Sequence, residues 1–401
     1  MSHTHEEWSE SNLNHYQSAH SSRTKSERIR NEADTLMANC ASKTQRSQQE
    51  ANNRLGSRIE DCNSWRADLQ TELDNNIREN GLLKETKAEL EHAIAETERP
   101  LRINNECIKN REARISIDLV KDEVENSLER EVENIKTYQQ RMQKMLGKVN
   151  QQIETNHSMQ DKLHADLEHK DMALEIDRDC HEMHNDAIDI KHHDGVEEED
   201  VSGSVPQSWA KFSKNNVEES QAAGRSATRQ LRYDVNNLIN NAASDMSVHW
   251  NKTNRSFTDR ISETQDAHRN LKSNLILTKN EIADMTKCIE RLKNSIASKD
   301  PPLRVAQSRL KKRLRRPEVE LCNDAPHNHL IEEVKELMEM IKQLENKLED
   351  SNKALSELFQ IKDRLDNDIR VKKNTIMIDQ QKCMSQRKHF PYIIVNTRYY
   401  H

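Results

Sequence analysis

Three groups of residues have types and spacing that could do chemistry. Cys180, His181, His184, His192, His193 and Asp194 bring nitrogen, sulfur and oxygen ligands close together in sequence. A zinc ion needs four such ligands converging tetrahedrally. These lie in a stretch that runs through the acidic residues Glu197 to Asp200 into Ser202-Gly203-Ser204-Val205-Pro206, with no helical or strand period to hold them. A solvated linker is the expectation, with no metal ligands. The second group is the basic run Lys311-Lys312-Arg313-Leu314-Arg315-Arg316, which has the pattern of a nuclear-targeting or nucleic-acid patch and equally that of a solvated helix end. The third is Cys322, whose cationic neighbours favour the thiolate. Catalysis would also need an oriented base and a shaped pocket. The six glycines are isolated and build no phosphate-cradling loop. No catalytic residue, no cofactor and no enzymatic activity are expected.

The elements that must position these residues follow from composition. Of 401 residues only 33% are hydrophobic and 3% aromatic, while 33% are charged. That is too little apolar material to fill a globular interior of this length. Disorder shares this signature, but Gly (6) and Pro (7) are scarce and the Leu, Ile, Val and Met residues are regularly spaced. The 62 basic and 69 acidic residues nearly balance, at a net charge of −7. That suits helix faces laced with i,i+4 pairs rather than a nucleic-acid binder. Seven dispersed cysteines, no apolar leader and no run near the ~18 apolar residues of a membrane span lead to the expectation of a reduced, intracellular protein with free thiols and no membrane partner.

Prolines at 100, 206, 301, 302, 317, 326 and 391 punctuate long proline-free stretches. Read as helix ends, they divide the chain into a first rod (1–99), a second (100–180), an acidic and His-rich linker (181–208), a third rod (209–300), a proline-bounded segment (301–325), a fourth rod (326–384) and a non-helical tail (385–401). Ser9 and Glu10 suit a first turn, and the narrow apolar stripe of the first rod calls for a partner helix. The last seam is the clearest. Steps of four and three from Leu330 visit fourteen positions to Ile376, eleven of them apolar, with Ser351, Lys362 and Lys372 intruding. This is coiled-coil patterning. The two lysines either specify register or reach outward to water.

The chain also repeats itself. At an offset of 202 residues, twelve of thirty-three positions from Pro100 to Val132 are identical to Pro302 to Val334, among them Arg111/Arg313, Arg114/Arg316, Leu119/Leu321 and Asp122/Asp324. The same offset pairs Ile176-Asp177 with Ile378-Asp379, and Arg23, Leu36 and Asn39 with Arg225, Leu238 and Asn241, while Trp8 and Trp209 match at 201. The expected fold is all-α: an elongated coiled-coil or helical-bundle rod of two tandem long-helix hairpin-like repeats.

Between the third and fourth rods stands Arg316-Pro317-Glu318-Val319-Glu320-Leu321-Cys322-Asn323-Asp324. It closely resembles the R-P-N-V-E-L-C-R-D loop of the tektin family, with Glu318 in place of Asn and Asn323 in place of Arg. Glu7-Trp8, Arg23, Ser26-Glu27-Arg28, Glu106-Cys107, Arg111-Glu112, Ile117-Asp118-Leu119-Val120, Ile378-Asp379 and Cys383 extend the resemblance over most of the chain, and their spread is most like the first-numbered branch of the family. The resemblance implies a structural filament protein of ciliary and flagellar doublet microtubules, lining the A-tubule lumen. It also implies tubulin, other tektins and other microtubule inner proteins as partners, and residues 316–324 as the contact loop. On that reading the basic run beside the loop steers it to acidic tubulin. A cytoplasmic coiled-coil scaffold at the centrosome or basal body is the alternative.

Overall fold

The computed structural model describes residues 1–188, 190–198 and 203–388. Every regular element among them is helical. In chain order they are α1 (His5–Glu112), a 3-10 turn (Ser116–Asp118), α2 (Glu123–Glu182), α3 (Pro206–Glu219), a π-helical turn (Ser220–Ser226), α4 (Ala227–Arg313), a second 3-10 turn (Glu318–Glu320), α5 (Ala325–Ile376), a second π-helical turn (Met377–Cys383) and α6 (Met384–Arg387). No helix among the described residues is long and apolar enough to cross a membrane.

Several boundaries differ from those read off the prolines. Helix α1 runs for 108 residues straight through Pro100, and α4 for 87 through Pro301 and Pro302. An interior proline removes one donor and bends the axis, at a cost of about 3 kcal/mol. Pro100 is itself buried, as are Thr97, Ile103 and Asn104 along the same stretch of helix, and burial there offsets that cost. The start of α1 lies earlier than Ser9. Thr4 and Glu7 form a reciprocal capping box, the Glu7 amide donating to Thr4 Oγ1 at 3.3 Å and the Thr4 amide to Glu7 Oε2 at 3.1 Å. At the other end, Met384–Arg387 is helical although the tail was expected to begin at 385. Pro391, Tyr399 and Tyr400 lie outside the described residues, as do Glu199 and Asp200 of the acidic run.

The chain divides into two units, Met1–Glu89 with Met145–Asn236, and Leu90–Lys144 with Asn237–His401. In the first, Leu69, Leu73, Leu163 and Leu167 form a small apolar cluster. Beside it lies a polar layer, which is how a chain so poor in apolar residues closes an interior. Asn76 Nδ2 donates to Ser220 Oγ (3.0 Å), Ser220 Oγ to Glu72 (3.0 Å), and Asn156 Nδ2 to Thr228 Oγ1 (2.9 Å). Such buried groups are tolerated because each is satisfied. Gly224 makes room for them, since a Cβ there would stand 2.6 Å from Asn76 Nδ2. By contrast the first half of α1 lies open: in residues 1–54 every side chain except Asn12 is exposed, Trp8, Leu13, Tyr16, Ile29, Leu36 and Met37 included.

In the second unit Ile103, Cys107, Val124, Leu128, Trp250, Phe257, Ile378 and Cys383 make the core. All fourteen seam positions from Leu330 to Ile376 are half-buried or buried, the burial a helix gains from one-sided pairing. Arg387, wholly buried, is the polar anchor. It donates to Asn254 Oδ1 (2.7 Å), to Asn104 and to Glu131 (2.9 Å), and stacks 3.8 Å from the Trp250 ring centroid.

Candidate partner-docking loop

The nonapeptide begins where Pro317 forbids α-helix and sets its own φ at −78°. One 3-10 turn follows, and Asp324 then caps α5 by accepting from the His327 amide at 3.0 Å. Two cations of the basic run turn inward onto that carboxylate. Arg313 pairs with Asp324 Oδ1, and Arg316 Nη1 reaches Asp324 Oδ2 and the Glu320 carbonyl, each at 3.3 Å. The hydrogen bond from Arg313 holds the Asp324 carboxyl below its ordinary value. Of the cations in the run, only Lys311, Lys312 and Arg315 remain exposed. Val319, Leu321 and Cys322 also face solvent, Val319 at 90%. All seven cysteines are free thiols. Among the described residues no three His, Cys, Asp or Glu side chains gather to hold a metal.

Glu318 has a φ of +40°, in the left-handed region that non-glycine residues rarely enter and Asn enters most readily. One of the two departures from the resembled pattern therefore falls on the one residue of the loop whose backbone favours the absent Asn.

The structure adds a second loop. Residues 114–122 repeat the geometry of 316–324 position for position: a 3-10 turn at Ser116–Asp118, a positive φ of 55° at Ser116, and a carboxylate, Asp122, held by Arg111 (2.5 Å) and Arg114 (3.2 Å). The 202-residue offset had already paired those arginines and aspartates. What it could not say is that the first copy is docked and the second is not. Asp118 is buried, accepting from Thr375 Oγ1 at 2.7 Å and pairing with Lys372, while Arg111 reaches buried Asp379 at 3.2 Å. In the second copy the corresponding Glu320 is exposed and Arg313 half-buried. The seam lysines part company as well. Lys372 binds a loop, whereas Lys362 reaches out to Asp363 and Asp366 at 3.0 and 3.5 Å.

The family model described as "Tektin family" matches residues 8–391. The chain belongs to the tektin family. It is 34% identical over 388 residues to Tektin-4 of Xenopus laevis, 33% over 389 to Tektin-4 of Mus musculus and 32% over 389 to Tektin-4 of Bos taurus, in each case covering 97% of this chain and 87% of the relative. These relatives support the family and not the first-numbered branch that the spread of matches had suggested. Tektins are structural proteins, and membership implies a filament role in the axoneme of cilia and flagella. On this tektin, then, residues 317–323 of the loop are left exposed by the chain's own fold.

Proposed function

We propose that this protein is a filament-forming rod on the luminal wall of the A-tubule of doublet microtubules, where it stiffens the axoneme and so supports cilium assembly and motility. Its partners there are tubulin, other tektins and other microtubule inner proteins, with residues 316–324 as a contact loop. The observation that carries the reading is a family match spanning residues 8–391 of a chain whose regular structure is helical throughout the described residues. The mechanism is mechanical. Long helices whose stripes are only half covered gain the rest of their burial from neighbours, so that bending the assembly exposes apolar surface.

Stepwise extraction of isolated axonemes tests this. With detergent, high salt and then a strong ionic detergent, the protein stays with the ribbon remnants after most tubulin has left. Release by detergent or modest salt would instead make it a scaffold of the cytoplasm, centrosome or basal body. Asn323 removes the five-donor fork that an arginine would offer an acidic surface. An Asn323→Arg form therefore incorporates more tightly, and equal incorporation would remove that surface from the loop's contacts.

A further inference from the structure

In the second unit the end of α1 meets the turn Met377–Cys383 and α6 as an antiparallel ladder. Its outer rungs are polar: Arg111 reaches Asp379 at 3.2 Å, and Arg387 donates to Asn104. The rung between them is Cys107 against Cys383. Cys107 Sγ lies 4.0 Å from the Cys383 carbonyl oxygen, and Cys383 Sγ 3.8 Å from the Cys107 carbonyl oxygen. The two thiols hydrogen-bond to each other, and both residues are wholly buried. Residues three or four apart share a helix face, so the charged rungs on either side hold the sulfurs in register. A bond between sulfurs placed this way asks for side-chain rotation rather than a rearrangement of helices. The 202-residue repeat does not explain the pair, since that offset sets Arg309 opposite Cys107 and His181 opposite Cys383.

The surroundings divide the labour between the two sulfurs. The hydrogen bond from the Cys383 thiol takes Cys107 below its ordinary value, and the Arg387 guanidinium adds to that, against burial and Glu131. The same bond, with burial and Asp379, pushes Cys383 upward although Arg111 stands near. Cys107 is therefore the sulfur that ionises, and Cys383 keeps its proton. A thiolate of this kind beside a second thiol has the parts of a redox pair, nucleophile and resolving group. Apolar neighbours, Val124, Leu128, Phe257 and Ile378, wall it off from bulky reagents. The piece covering it, α6, is only four residues long, and local opening of so short an end admits a small uncharged molecule.

We propose that Cys107 and Cys383 form a peroxide-responsive dithiol, oxidised to an intrachain disulfide that ties the end of α1 to the turn after α5. The Cys107 thiolate attacks one oxygen of hydrogen peroxide, the O–O bond breaks, and the departing hydroxide takes up a proton to leave as water. Cys107 is then a sulfenic acid. The Cys383 sulfur attacks the Cys107 sulfur, the S–O bond breaks, and the hydroxide leaves as a second water with the Cys383 proton. The two sulfurs give up two electrons in all, and a thiol reductant reverses the bond by exchange. The link spans 276 residues of chain, so it constrains the unfolded state strongly and locks the Arg111–Asp379 and Arg387 contacts between which it lies. The proposal does not depend on the filament reading above.

The test uses the full native chain, treated with hydrogen peroxide, blocked with N-ethylmaleimide and cleaved with trypsin without reduction. The expected product joins peptide Ile103–Lys109 to peptide Cys383–Arg387, and the same treatment in unfolding urea gives mixed pairings instead. The oxidised chain should unfold at a urea midpoint higher by about 1 M, and dithiothreitol should return it. Dimedone should capture Cys107 in a Cys383→Ser chain and leave Cys383 untouched in a Cys107→Ser chain. The pair would be overturned if both cysteines stayed reduced while exposed Cys40, Cys180 and Cys322 were consumed. A preferred link from either one to another cysteine, or an equal yield from unfolded chain, would overturn it too. A linked chain with an unchanged or lower midpoint would refute the lock. The peptide map needs no variant, so it decides the matter even where a serine substitution unfolds the core.

Discussion

Arg111 and Asp379 meet at 3.2 Å with both side chains almost wholly removed from water. The arginine belongs to the end of α1 and the aspartate to the π-helical turn after α5, so this pair ties the first repeat to the second within one unit. Burial raises the Asp379 carboxyl above its ordinary range, and Arg111 is the largest influence opposing that rise. Taking one partner from such a pair strands the other charge. Arg111→Met should cost about 3–5 kcal/mol in urea unfolding. Arg111→Met with Asp379→Leu should recover most of the loss. The single variant's deficit shrinks in acid, because a carboxyl with a raised folded pKa prefers to be protonated there. A loss that is the same at all pH values would mean that Asp379 is not the group left stranded.

Arg387 anchors α6 to the second unit. It is fully buried against Glu131, Asn104, Asn254 and the Trp250 ring. A chain cut after Cys383 leaves Glu131 buried without its cation, as does Arg387→Met. Both should lose about 3–5 kcal/mol and speed amide exchange around residues 100–131 and 250–257. Unchanged exchange in those segments would remove the anchor role.

Glu318 holds a φ of +40° that L-residues resist by roughly 1–2 kcal/mol, Asn far less. Glu318→Asn should therefore gain about 1 kcal/mol in local opening, read as slower exchange or proteolysis across residues 314–324. Glu318→Val should open the same segment. If the two variants behave alike, the left-handed residue is not what limits the loop.

Asp324 is the pH-sensitive point of the loop. Arg313 and the His327 amide hold its carboxyl below the ordinary value near 3.8. Its contribution is complete above that value and is lost as pH falls below it, through the lower folded pKa. Proteolysis within 314–324 should accelerate in that acid range and not between neutrality and pH values just above 4. Asp324→Asn should show the faster cleavage already at neutral pH.

The sequence alone determined a good deal of this protein. Heptad spacing from Leu330 to Ile376 located a seam that the fold half-buries throughout, and the balanced charge with scarce Gly and Pro was enough for an all-α chain. Periodicity suffices there because a helix is a local structure, with hydrogen bonds that close within four residues. The 202-residue offset made the equivalence of Arg111 with Arg313 and Asp122 with Asp324 visible before any coordinates. The prolines misled at positions 100 and 301–302, where helix continues, and Arg387 sat in a stretch with no helical signal. A proline states only a local cost, and whether neighbouring contacts outweigh it is settled elsewhere in the chain. Only the tertiary structure could decide that loop 114–122 is docked on Lys372, Thr375 and Asp379 while its twin 316–324 faces water. The two loops share their local sequence physics and so their shape. Their difference lies in what the fold brings against each, and that depends on residues hundreds of positions away.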